Sequence, residues 1–112
     1  MILKNLIQWL ESQDKNTVVQ DGFGSPHSDR GYYENLAFDP VGETTIGEML
    51  DHAIFADGAT FTGWKGGDYE MGDYTEVFIG EFGDCGEPIN SANLKLWELY
   101  ANRENSHGAE RS

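Results

Sequence analysis

Two basic side chains, Arg30 and Lys65, stand alone in the middle of an acidic chain, and each lies close to glycines and aromatics. From Asp29 to Glu87 the sequence carries 14 acidic residues and only these two bases. In F-G-S-P-H-S-D-R-G-Y-Y (residues 23–33), Arg30 offers a planar fork of donors suited to phosphate, with His27 and Ser28 as further donors. In G-W-K-G-G-D-Y (residues 63–69), Lys65 adds a point charge, and Gly66 and Gly67 allow backbone N–H groups to approach an anion closely. Trp64, Tyr69, Tyr32 or Tyr33 can stack on a base, each stack worth ~1–3 kcal/mol. Asp68 can accept from a ribose hydroxyl. These types and spacings point to capture of a small phosphate-bearing ligand of nucleotide type. The plainer alternative pairs Arg30 with Asp29 and Lys65 with Asp68, and leaves the glycines as turns. Neither a P-loop nor a G-x-G-x-x-G pattern is present.

Other chemistries find less support. Asp68, Glu70 and Asp73 are close together, but D-Y-E-M-G-D lacks the alternating ligands of a calcium loop. Zinc would have to combine Cys85 with His27, His52 or His107, at no recognised spacing. In G-D-C-G-E-P the Cys85 thiol stands beside two acids, which disfavour a thiolate nucleophile. With no nucleophile–base constellation, a non-enzymatic protein without metal or cofactor is expected.

The net charge of −13, from 20 acids against 7 bases, argues against direct binding of nucleic acid or of anionic membranes. Two readings of the acidic excess stay open. It can serve solubility through self-repulsion, or it can imitate the charge of nucleic acid and occupy a basic groove on a partner. One cysteine in 112 residues excludes an internal disulfide framework and suits a reducing cytoplasm. No apolar run approaches the roughly 20 residues of a membrane span. The periodic N-terminus does not read as a signal peptide.

The elements that must position these residues follow from periodicity. Ile2, Leu3, Leu6, Ile7 and Leu10 recur at helical spacing and predict a helix over about residues 2–12, with Trp9 at the edge of its stripe. Thr17, Val18 and Val19 predict a short strand. Residues 21–33 show no period and read as a long structured loop, before a strand through Leu36 and Phe38 that stops at Pro40. Thr45 and Glu48 form a capping-box pattern for a second helix. Its inward stripe is Ile46, Met49, Leu50, Ala53 and Ile54, with Gly47 packing on the sheet and Gly58 as the stop. Ala59–Trp64 and Thr75–Phe82 are expected to pair as a hairpin, leaving the Lys65 stretch as its ten-residue loop. A last helix, capped by Asn90 or Ser91, places Leu94, Trp97 and Ala101 on one face, with Leu96, Leu99 and Tyr100 as a second apolar edge. A polar, flexible tail spans residues 104–112. The expectation is one α+β domain over residues 1–103, in the order α-β-β-α-β-β-α, with a small antiparallel sheet packed against two to three helices.

In G-F-G-S-P-H-S-D-R-G-Y-Y-E-N-L-A-F-D-P, T-I-G-E-M-L and T-F-T-G-W-K-G-G-D-Y-E-M, the chain resembles a group of small, acidic, uncharacterised proteins encoded by tailed bacteriophages. The resemblance extends from the first helix to about Gly86. It implies a phage origin, action in the cytoplasm of an infected bacterial host, and a role in counter-defence or host takeover. Small phage proteins of that kind include sponges for nucleotide immune signals, some of which bind between subunits of a homo-oligomer. They also include acidic inhibitors such as anti-CRISPR or anti-restriction DNA mimics, whose partner is a host defence protein.

Overall fold

A computed structural model describes the backbone of residues 1–30 and 32–111, with side chains through residue 101. The fold is α+β. The first helix, α1 (Leu3–Glu11), buries Leu3, Leu6 and Leu10 of the predicted stripe, while Ile7 is half-buried and Ile2 lies ahead of the helix as its N-cap. Ile2 supplies no capping side chain. Instead, the first N–H groups donate to the chain ahead of a later strand: Leu3 to the Thr75 carbonyl at 2.8 Å and Lys4 to that of Asp73 at 2.9 Å.

Strands β1 (Val18–Val19), β2 (Gly22–Ser28), β3 (Leu36–Val41) and β4 (Thr44–Thr45) precede the second helix, α2 (Ile46–Ala56). Thr45 caps α2 as its sequence predicts, with reciprocal bonds to Glu48. Gly47 packs elsewhere than expected: its N–H donates to the Lys15 carbonyl at 2.9 Å, so it lies on the α1–β1 connection and not on the sheet. Ile46, Met49, Leu50, Ala53 and Ala56 are buried, whereas Ile54 is exposed. Ile54 follows Ala53 by one position, and a 100° step carries it off the buried stripe.

After α2 come β5 (Thr60–Thr62), β6 (Asp68–Glu70), β7 (Val77–Ile79), β8 (Glu87–Pro88) and α3 (Ser91–Arg111). Asn90 opens α3 by accepting from the Ala92 N–H at 2.9 Å and donating its own N–H to Asn93 at 2.9 Å. On the expected face Trp97 and Ala101 are buried and Leu94 is half-buried, while Leu96 and Leu99 are exposed. The expected flexible tail, residues 104–112, lies outside the residues whose side chains are described.

The strand pairing departs from expectation in three ways. Residues 22–28 form a strand, not a loop, paired antiparallel with β3. A register shift between Phe23 and Pro26 erases the alternation by which a strand is read, and Pro26 is tolerated because β2 is an edge strand. Pro40 lies within β3 and does not end it. Finally, Thr60–Thr62 pairs with Asp68–Glu70 and not with the segment after Thr75, so the hairpin closes through residues 63–67. The segment after Thr75 supplies β7, which pairs parallel with β3 and antiparallel with β8. The main sheet is therefore mixed, in the order β2-β3-β7-β8, beside the two-stranded sheets β1-β4 and β5-β6. The parallel β3–β7 step requires a crossover, and that crossover carries α2 and the β5–β6 hairpin.

The core gathers α1, α2, the sheet and the start of α3 around Phe23, Phe38 and Trp97. Phe23 lies 4.3 Å from Phe38 and 5.8 Å from Trp97 between ring centroids, and Trp9 reaches Trp97 at 6.1 Å.

Candidate functional site

Three connections come together beside the main sheet: the β2–β3 connection at Asp29, Arg30 and residues 32–35, residues 63–67 between β5 and β6, and residues 80–86 between β7 and β8. The last leaves the sheet at the end opposite to the first and reaches back to it. The first and third are tied by buried Asp29, whose carboxylate accepts the Gly86 N–H at 2.8 Å, and whose own N–H donates to the Asn35 carbonyl at 2.9 Å. A buried carboxylate in that position fixes the two loops relative to each other.

Arg30 is the centre of the arrangement. One guanidinium nitrogen donates to the Gly83 carbonyl at 2.7 Å, and its Cζ lies over the Trp64 ring, 5.7 Å from the centroid. Trp64 in turn meets Phe82 edge-on at 5.4 Å, and Phe82 meets His27 edge-on at 5.5 Å. Gly83 has φ +95°, and a Cβ there would fall 2.9 Å from the Trp64 ring, so only glycine permits this contact. Among the described residues Arg30 forms no ion pair, so the expected alternative partner, Asp29, is not its counter-ion. Among the described residues its other N–H donors have no partner, and Trp64 keeps 48% of its surface exposed.

Lys65 is exposed and likewise pairs with no carboxylate among the described residues. Asp68 accepts from the Thr62 hydroxyl at 3.2 Å instead. The 63–67 loop turns through left-handed Gly66 and Gly67 and is closed by bonds between Gly66 N–H and the Gly63 carbonyl and between Gly63 N–H and the Gly67 carbonyl, both 2.9 Å. The Gly66 N–H is therefore spent inside the turn.

His27 and Ser28 belong to the framework of the site. His27 is buried, with Nδ1 3.0 Å from the Ser28 carbonyl and Nε2 2.8 Å from the Gly80 carbonyl and 3.1 Å from Asp39. The buried Ser28 hydroxyl donates to the Tyr33 carbonyl. Both side chains anchor β2 and its loop, and their polar atoms are taken up internally.

The remaining predicted residues, Tyr32 and Tyr69, line an open cleft of about 280 Å³ together with Tyr33 and Glu34. Tyr33 and Tyr69 stand 5.8 Å apart at 49°. Both rest on Gly63, where a Cβ would lie 3.0 Å from Tyr69 and 3.3 Å from Tyr33. Arg30 and Lys65 do not line this cleft. The two loops singled out in the sequence thus do come together, but as two adjoining features: an arginine–tryptophan face and a tyrosine cleft.

Glu34, Phe82 and Gly83 were not among the predicted site residues. Phe82 and Gly83 carry no signal of their own in the sequence, because their part in the site comes from Trp64 and Arg30 across the fold. In comparisons with known proteins, no family model matches the chain, and no curated protein or solved structure is detectably similar to it.

Proposed function

We propose that the protein is a non-enzymatic binding protein that captures a small phosphate-bearing ligand of nucleotide type at the Arg30–Trp64–Lys65 face. The carrying observation is the Arg30 guanidinium, held over Trp64 by the Gly83 carbonyl and lacking a carboxylate partner among the described residues. A pre-oriented fork of donors beside an exposed aromatic surface suits a phosphate attached to a flat ring. Lys65, next in the chain to Trp64, adds a second charge at the same loop. Together with the phage resemblance of the two loop motifs, this favours sequestration of a host nucleotide immune signal in the cytoplasm of an infected bacterium.

Isothermal titration calorimetry against cyclic dinucleotides and ADP-ribose derivatives tests the reading. Saturable binding that is lost in Arg30→Ala and weakened in Lys65→Ala is expected. Binding unchanged in both variants removes the assigned site, and no binding by any ligand removes the nucleotide reading.

One observation favours a second reading, an acidic inhibitor seated in the basic groove of a host defence protein. Among the described residues only Glu76 pairs with a fixed positive charge, the N-terminal ammonium, and most acidic side chains are exposed, so most of the acidic charge faces solvent without neutralisation. That reading expects capture of a basic partner that weakens with salt and with charge reversal of exposed acids, and that persists in Lys65→Ala.

A further inference from the structure

The cleft beside the Arg30–Trp64 face has the opposite chemistry, and we infer that it is a binding site for a trimethylammonium group. Its lining is Tyr32, Tyr33, Tyr69 and Glu34, around a volume of about 280 Å³. Aromatic faces carry the negative end of the ring quadrupole, so a lining in which three of four residues are tyrosines suits a cation better than an anion. Glu34 adds a formal negative charge at the wall, and among the described residues its carboxylate has neither a hydrogen-bond nor an ion-pair partner. The three phenol groups also make no hydrogen bond to any described residue. No lysine or arginine lines the cleft, and the net charge of −13 concentrates cations around the molecule.

The kind of cation follows from the donor set. A calcium or magnesium ion needs about six or more oxygen ligands, and one carboxylate with phenol groups does not provide them. A primary ammonium is compact and strongly hydrated, and the cleft has too few acceptors to replace that water. A methylated ammonium loses little hydration and presents its charge through methyl groups that pack on ring faces. That is the cation for which aromatic cages are suited.

The walls are set before any ligand arrives. Tyr33 and Tyr69 rest on Gly63, and Tyr69 packs against the hydrophobic core, so two of the three rings are fixed. Tyr32, 65% exposed, is the outermost of the three rings. Binding to walls already in place loses less conformational entropy.

Titration of the full chain with choline, with a peptide carrying trimethyl-lysine, and with the neutral isostere 3,3-dimethylbutanol decides the matter, followed by calorimetry or by tyrosine ring resonances. The inference expects saturable binding of at least one trimethylammonium probe and none of the isostere. Tighter binding of choline points to a free small molecule, and tighter binding of the peptide to a protein-borne group; either supports the site. Tyr32→Ala, at an exposed position that cannot unfold the chain, should weaken binding by about tenfold. Tyr69→Phe should keep it, and Glu34→Gln should weaken it in a salt-dependent way. Arg30→Ala should leave it unchanged, which separates this site from the phosphate face. Equal binding of the isostere, binding unaffected by Tyr32→Ala, or no binding of either cation at millimolar concentration overturns the inference. Displacement of the cation by GMP also overturns it, because the cleft would then accept a base.

Discussion

Two groups of aromatic rings divide this molecule. In the core, Phe23, Phe38 and Trp97 are fully buried, with Trp9 against them. At the loop end, Tyr32, Trp64 and Phe82 keep 65, 48 and 52% of their surface exposed, although Trp64 and Phe82 meet at 5.4 Å much as the core rings meet one another. The polar end of Trp97 is directed inward, its indole N–H donating to the Asp21 carbonyl at 3.4 Å. Trp64 instead carries a guanidinium on its face. The same residue type therefore serves folding at one end and leaves surface available for a partner at the other. Exposed aromatics beside a fixed arginine are the feature on which the proposed binding face rests.

Removing a ring from each group is the sharpest way to break the comparison. Trp97→Ala should cost about 3–5 kcal/mol of stability, read from denaturant unfolding, because it opens a cavity among Phe23 and Trp9. Gly83→Ala should cost more than about 1 kcal/mol, since it imposes a side chain at positive φ, and it should also drive Trp64 off Arg30. Its ligand binding should fall further than its stability. Thr45→Ala should lower stability by about 1 kcal/mol through loss of the α2 cap and leave the loop end untouched in ligand titration. Trp64→Ala should cost no more than about 1 kcal/mol of stability, yet remove ligand binding. If it destabilised the chain as much as Trp97→Ala, the two groups would not differ in the way described.

The smallest effect concerns acid. The Glu48 carboxyl is held below the usual carboxylate range by the hydrogen bond from the Thr44 hydroxyl, and further by the Thr45 N–H. A lowered folded-state pKa contributes stability above the usual carboxylate range, and that contribution is lost as pH falls through the lowered value. The stability–pH curve of Glu48→Gln should therefore be flatter than that of the wild type on its acid limb. An equally steep limb would contradict this.

What was legible in the sequence followed from short-range physics. The α1 stripe and the Thr45–Glu48 cap depend on residues three and four apart; the cap forms as read, and the stripe forms through Leu3, Leu6 and Leu10. β2 escaped because its register shift, two glycines and a proline hide a strand's alternation. The parallel pairing of β3 with β7 joins segments about forty residues apart, and Leu36, Ala37 and Phe38 are buried on both faces, so alternation gave no guide to the partner. At the site, the isolation of Arg30 and Lys65 was visible in composition. The third loop was not, because Gly83 and Phe82 gain their meaning only from Arg30 and Trp64 across the fold. His27 and Ser28 carry the right atoms for a ligand, but burial commits those atoms to the backbone.

The division between the two groups of rings can be read directly from the indole N–H resonances of the three tryptophans, assigned by single substitution and followed while nucleotide ligands are added. The account predicts that the Trp64 resonance moves with saturation, while those of Trp9 and Trp97 stay in place. Movement of the Trp97 resonance with a stationary Trp64, or no movement of any of them with any ligand in the panel, would contradict it.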